Sequence, residues 1–117
     1  MTMPHDSPSA AELIEAVREW LQRDVMPGSR SVSKFHGRVA ANVLAIVERE
    51  IELGPAQSVR HHQRLDQLGV SSDHELAAAI RAGDLDDRLD ETRTLVWDSV
   101  HDKLRVANPG YLERVEE

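Results

Sequence analysis

Apolar residues recur along this chain at spacings of three and four, the period of a helix with one buried face, and no run shows the strict alternation of a half-buried strand. Five stretches carry the pattern. The first opens at Ser9, which with Glu12 has the spacing of a capping box, and lines one face with Leu13, Ile14, Val17, Trp20, Leu21 and Val25 until Pro27-Gly28 stops it. The second, Val32 to Leu53, is the most apolar: Phe35, Val39, Val43, Ile46 and Leu53 share a face that Ala40, Leu44, Val47 and Ile51 widen. A helix of that character is expected to be covered on two sides and to end at Gly54-Pro55. A third helix is expected from Pro55 to about Leu68, burying Val59, His62, Leu65 and Leu68. Ser72 and Glu75 repeat the capping-box spacing and open a short helix that closes at Gly83. A long last helix, about 87–107, follows the acidic stretch Asp84 to Asp87, with Leu89, Val96, Val100, Leu104 and Ala107 as its core stripe and Trp97 beside them. Asn108-Pro109-Gly110 reads as a stop, after which Tyr111-Leu112 folds back as an anchor.

The expected architecture is therefore all-α, a compact bundle of about five helices with a long central helix (about 32–53) and a long C-terminal one (about 87–107). Residues 1–8 read as a disordered lead-in, 9–112 as a single helical domain and 113–117 as a tail.

Charge and composition narrow the function classes. The formal charge of −7 lacks the cationic face that nucleic-acid backbones require, and at 3% aromatic residues there is little to stack on bases. With no cysteine, disulfides, thiolate metal sites and thiol catalysis are excluded. The N-terminus has no basic and apolar leader, and no window approaches a membrane span, so an acidic cytoplasmic protein is expected.

No motif for chemistry stands out. His62 and Asp66 share a helical face at i, i+4, but two side chains are not a metal site, and no third ligand occurs at a fixed offset. His5, His74 and His101 read as surface positions. The serines cluster in caps and linkers, and the glycines sit singly at helix ends with no phosphate loop. No cofactor is expected. On the central helix, His36 and Glu50 project from within the apolar arc and are expected to be buried, Glu50 paired with Arg93 of the last helix. Arg38, Asn42 and Arg49 form a stripe along one border of that arc, read either as an intramolecular network with Glu50 and the acidic start of the last helix or as the place where a partner is expected. On the last helix Leu95, Ser99 and Val106 lie on the side away from the core stripe; with Lys103 and Tyr111 they outline a second docking surface.

Three segments, FHGRVAANVLAIVEREIELG at 35–54, AAIRAG at 78–83 and KLRVANPGYL at 103–112, resemble an uncharacterised bacterial family of small all-helical proteins, typically encoded beside an aminoglycoside-phosphotransferase-like kinase and an acyl-CoA dehydrogenase. The resemblance runs from Ala10 onward, except that Arg60 to Asp73 matches nothing. It implies a non-catalytic small subunit that binds and stabilises or activates the 4-hydroxyacyl-CoA kinase of levulinate catabolism, the kinase itself holding the ATP site. It assigns no functional residue. Two alternatives stand beside it: a stand-alone ligand-binding or acid–base domain using His36 and Glu50, and a simple homodimer.

Overall fold

Ser9 opens the first helix as its spacing predicts, its Oγ accepting the Glu12 N–H at 3.2 Å while the Glu12 carboxylate accepts the Ser9 N–H at 3.1 Å. In the computed structural model, which describes residues 8–116, this helix is α1 (Ala10–Trp20), followed by α2 (Ser31–Gln67), α3 (Asp73–Ala82), α4 (Leu89–Ala107) and α5 (Pro109–Glu116). The protein is all-α, with no strand among the described residues. A π turn, Leu21–Val25, extends α1, and a 3-10 turn, Asp86–Arg88, leads into α4. The lead-in expected over 1–8 lies, apart from Pro8, outside the described residues, as do His5 and Glu117.

Two helix boundaries differ from expectation. Gly54-Pro55 does not end the central helix, because α2 passes through both residues to Gln67 and absorbs the separate helix expected from Pro55. Part of the clash by which proline excludes the helical conformation before it is with the preceding Cβ, which Gly54 lacks, so the remaining cost is the lost hydrogen bond to the Ile51 carbonyl and the crowding of that carbonyl by the ring. Restoring that bond with Pro55→Ala is expected to raise unfolding stability by about 1–3 kcal/mol in denaturant melts; a loss of stability would show that the proline terminates a helix after all. At the other end, Asn108-Pro109 stops α4 but also starts α5. The Asn108 Oδ1 accepts the Tyr111 N–H at 3.2 Å, and Pro109 takes the first helical position, where its missing N–H is no loss.

The chain forms two units, one reaching to Leu53 and the other beginning at Gly54, so α2 contributes to both. Within the first, α1 and the start of α2 run antiparallel. Arg18 Nε donates to Glu48 Oε1 at 2.5 Å and its NH2 to Oε2 at 3.2 Å, a bidentate pair, while Met26 lies over Gly37, where an added methyl group would sit 2.9 Å from Met26 Cγ. The side of α2 turned to these contacts is Gly37, Ala41, Leu44 and Glu48, and only the two smallest of them are buried.

The second unit holds the large buried side chains: Leu65 and Leu68 at the end of α2, Leu85 before α4 and Leu112 of α5. Gly69 and Gly83, at φ 77° and 82°, close α2 and α3 with bonds from Val70 N–H to Leu65 and from Asp84 N–H to Ala79. Arg88 clamps the end of α2, donating to the Gln67 carbonyl and to both Glu91 oxygens at 2.9 Å. Val59 and His62, expected inside, are exposed. On α4 the buried positions are Thr92 and Asp102, while Leu89, Val100 and Ala107 of the expected core stripe, and Trp97 beside it, are exposed. The rotation has a polar cause: Asp102 is drawn inward by arginines from α2, and Leu95, Ser99 and Val106 turn in with it.

Candidate functional site

On α2 the most apolar face and the packed face are different faces. Counting 3.6 residues per turn, Phe35, Val39 and Val43 lie across the helix from Gly37, Ala41 and Glu48, and they are 58%, 46% and 52% exposed. Val32 extends this open face at its start. Leu13, Val17 and Trp20 make a second exposed apolar line on α1, a helix with no buried residue. In the first unit only glycine and alanine of α2 are fully buried; Ile14, Leu21, Leu44, Ile46 and Val47 are half-buried, and Leu13, Val17, Trp20, Val32, Phe35, Val39 and Val43 stay exposed, more apolar surface than a self-sufficient fold leaves in water.

The polar residues singled out on α2 border this face. Arg38 and Asn42 are exposed; Arg49 is half-buried and engaged in a polar contact. His36 and Glu50, expected to be buried, are both exposed because the arc they sit in is the open one. They also stand fourteen residues apart on one continuous helix, about 21 Å of axial rise, so they cannot serve one substrate as acid and base. Arg93, the expected counter-ion of Glu50, has a side chain 78% exposed and lies 3.7 Å from Asp90, one turn earlier.

The docking surface expected on α4 is not formed as a unit. Lys103 and Tyr111 are exposed, but Leu95 and Val106 are half-buried on the side that carries Ser99 and Asp102. Sequence reasoning missed the polar seam that produces this. From α2, Gln57 Nε2 donates to the Asp102 carbonyl at 2.8 Å, and Arg60 Nε and Arg64 NH1 donate to Asp102 Oδ2 at 3.2 and 3.1 Å. Burial pushes the Asp102 carboxyl upward, but the hydrogen bonds and charges of the two arginines outweigh it and hold the group below its ordinary range. Arg64 NH1 also donates to Ser99 Oγ at 3.0 Å, Ser99 Oγ lies 2.8 Å from His61 Nδ1, and His61 Nε2–H donates to Asp73 Oδ1 at 2.6 Å. The signal was present as polar residues at 57, 60, 61 and 64, a helical face in its own right.

Asp73, His61 and Ser99 stand in the order of a nucleophilic triad. Acyl transfer also needs donors aimed at the developing oxyanion, and Ser99 sits inside α4, where the neighbouring backbone N–H groups serve the helix. With Arg64 tied to Asp102, the seam works as a latch that fixes α4 on the second half of α2. His62 Nδ1–H donates to the Ser58 carbonyl at 2.8 Å, and among the described residues no group of three or more His, Asp or Glu is placed to hold a metal ion. No described helix is long and apolar enough to cross a membrane.

Neither a comparison with curated proteins nor one with solved structures finds a match to this chain. A family model does match, over residues 27–111, which take in α2, α3, α4 and the start of α5, and with them the open face of α2 and the whole seam. The chain belongs to the family of the domain of unknown function DUF6285.

Proposed function

We propose that this protein is a non-catalytic accessory subunit that docks on a larger enzyme through the open apolar face of its first unit. The observation behind this reading is the inversion on α2, where Phe35, Val39 and Val43 face water while Gly37 and Ala41 are packed. Each of these side chains is already about half covered, so covering the rest is worth roughly 0.7–1.5 kcal/mol apiece, and Val32, Phe35, Val39 and Val43 together favour association by a few kcal/mol. Arg38 and Asn42 lie at its edge, where polar residues give register more than affinity.

The resemblance of the segments at 35–54, 78–83 and 103–112 points to the partner: an aminoglycoside-phosphotransferase-like hydroxyacyl-CoA kinase of cytoplasmic acyl-CoA catabolism, which this chain stabilises or activates. Co-expression with that kinase, followed by size-exclusion chromatography with light scattering, tests the reading. One shared peak, and kinase activity that falls when this chain is omitted, are expected. Separate peaks with undiminished kinase activity would remove the proposal. A mass of twice 13.1 kDa for this chain alone, unchanged by the kinase, would assign the face to a second copy instead.

A further inference from the structure

The second unit has an apolar line of its own in water, on α4. Arg93, Trp97, Val100, Leu104 and Ala107 follow one another at steps of four, three, four and three residues, the spacing with which one helix packs along another. Trp97 and Val100, at its middle, are 47% and 38% exposed; Leu89 beside its start and Ala107 at its end are exposed, and Leu104 is half-buried. The buried Thr92 and Asp102 and the half-buried Leu95, Ser99 and Val106 point the other way, toward the interior of the unit.

The charges around this line narrow what can cover it. They are sorted along the helix: Asp84, Asp86, Asp87 and Asp90, all exposed, stand before and at its start, and Lys103 and Arg105, both exposed, stand near its end. Arg93 is already held by Asp90 at 3.7 Å, and Asp98 lies about 100° round the helix from Trp97, off the line. A covering helix needs the reverse order, basic where this one is acidic. The same helix turned end for end has it. A twofold axis between Trp97 and Val100 makes the line self-complementary as well, since Trp97 then faces Val100, the stem of Arg93 faces Leu104 and Asp90 faces Ala107. Asp90 and Arg105 lie on the same side of the line, so the axis brings each beside the other across the pair.

We propose that two copies of this chain pair through α4, antiparallel about an axis between Trp97 and Val100, with Asp90 of each copy beside Arg105 of the other. The pairing lies within the second unit and does not depend on what covers the first. Sedimentation of the full chain over a dilution series from millimolar to micromolar tests it, and the mass is expected to fall from twice 13.1 kDa to 13.1 kDa. Trp20→Phe leaves Trp97 as the one tryptophan, and its emission should move to shorter wavelength over the concentrations at which the dimer forms. Trp97→Lys should stay at 13.1 kDa throughout with unchanged helix content. Asp90→Lys and Arg105→Glu should each loosen the dimer about five- to tenfold, and the two together should regain most of that loss. Val39→Asp should leave the dimer unchanged. A mass of 13.1 kDa at every concentration, or a dimer that survives Trp97→Lys, would overturn the face. Should Trp97→Lys fail to fold, no loosening by either charge reversal would overturn it equally. A double charge reversal weaker than either single one would overturn the antiparallel register. A dimer dissolved by Val39→Asp would place the second copy on the open face of the first unit and overturn the pairing through α4.

Discussion

Val39→Asp is expected to weaken the complex with the partner kinase by more than a hundredfold while lowering the stability of the free chain by only about 1 kcal/mol. Val39 stands at the middle of the open face, half out of water, on a helix whose packed side lies elsewhere. In the free chain an aspartate there stays solvated and differs little from valine in helix propensity. In a complex the same carboxylate would be covered without a cation opposite it, at a cost of several kcal/mol. Titration calorimetry against the purified kinase and a urea melt of the free variant separate the two effects. Arg38→Ala, at the edge of the face, should act in the same direction but more weakly, by several-fold. A Val39→Asp chain that binds as before, or one that no longer folds, would show that the face is not the docking surface.

Asp102→Asn is expected to remove about 2–3 kcal/mol of stability at neutral pH. The carboxylate joins Arg60 and Arg64 of α2 to α4 from a residue only 9% exposed, and the amide leaves both guanidinium groups without their counter-ion. The pH dependence follows from the direction of the shift. Because Asp102 is held below the ordinary carboxylate range in the folded chain, its contribution is complete above the unfolded value, about 3.9, and disappears as the pH falls through the lower folded one. Glu12, Glu75 and Glu91 are also lowered, by the backbone N–H of Ser9, the backbone N–H of Ser71 and the guanidinium of Arg88, but they are present in both proteins and cancel in the comparison. The stability gap between native chain and variant should therefore narrow as the pH is taken from 7 to 3. A gap of the same size at both pH values would show that the arginine pairing contributes nothing.

How far the sequence could be read depends on the range of the interaction concerned. Helix starts are local, and Ser9 with Glu12 behaves as its spacing predicts. The second capping box is half right: Ser72 Oγ accepts the Glu75 N–H at 3.1 Å, but the Glu75 carboxylate turns to the N–H and hydroxyl of Ser71. Proline signals are ambiguous by nature. Pro55 lies inside a helix because a glycine precedes it, and Pro109 begins one because an asparagine caps it. Burial is less local still. Hydrophobic periodicity identified the apolar face of α2 correctly, yet it carries no information about whether that face is covered by the same chain, so the weaker face of Gly37 and Ala41 took the intramolecular contact. The seam was hidden for a related reason. His61, Ser99 and Asp73 lie on three elements, and their meeting depends on the register of α2 against α4, which no spacing within one helix encodes. What the residues did show was that 57, 60, 61 and 64 form a polar face, a warning that this part of α2 would pack through ions.

The central claim is that the first unit is completed by another protein. Hydrogen–deuterium exchange of the chain, alone and in complex with the kinase, tests it most directly, since amides under a docking face open less often once it is covered. Slowed exchange concentrated in residues 13–20 and 32–47 on adding the kinase is the predicted result. Protection absent from both segments in a complex that nevertheless forms would contradict the account and place the partner elsewhere on the molecule.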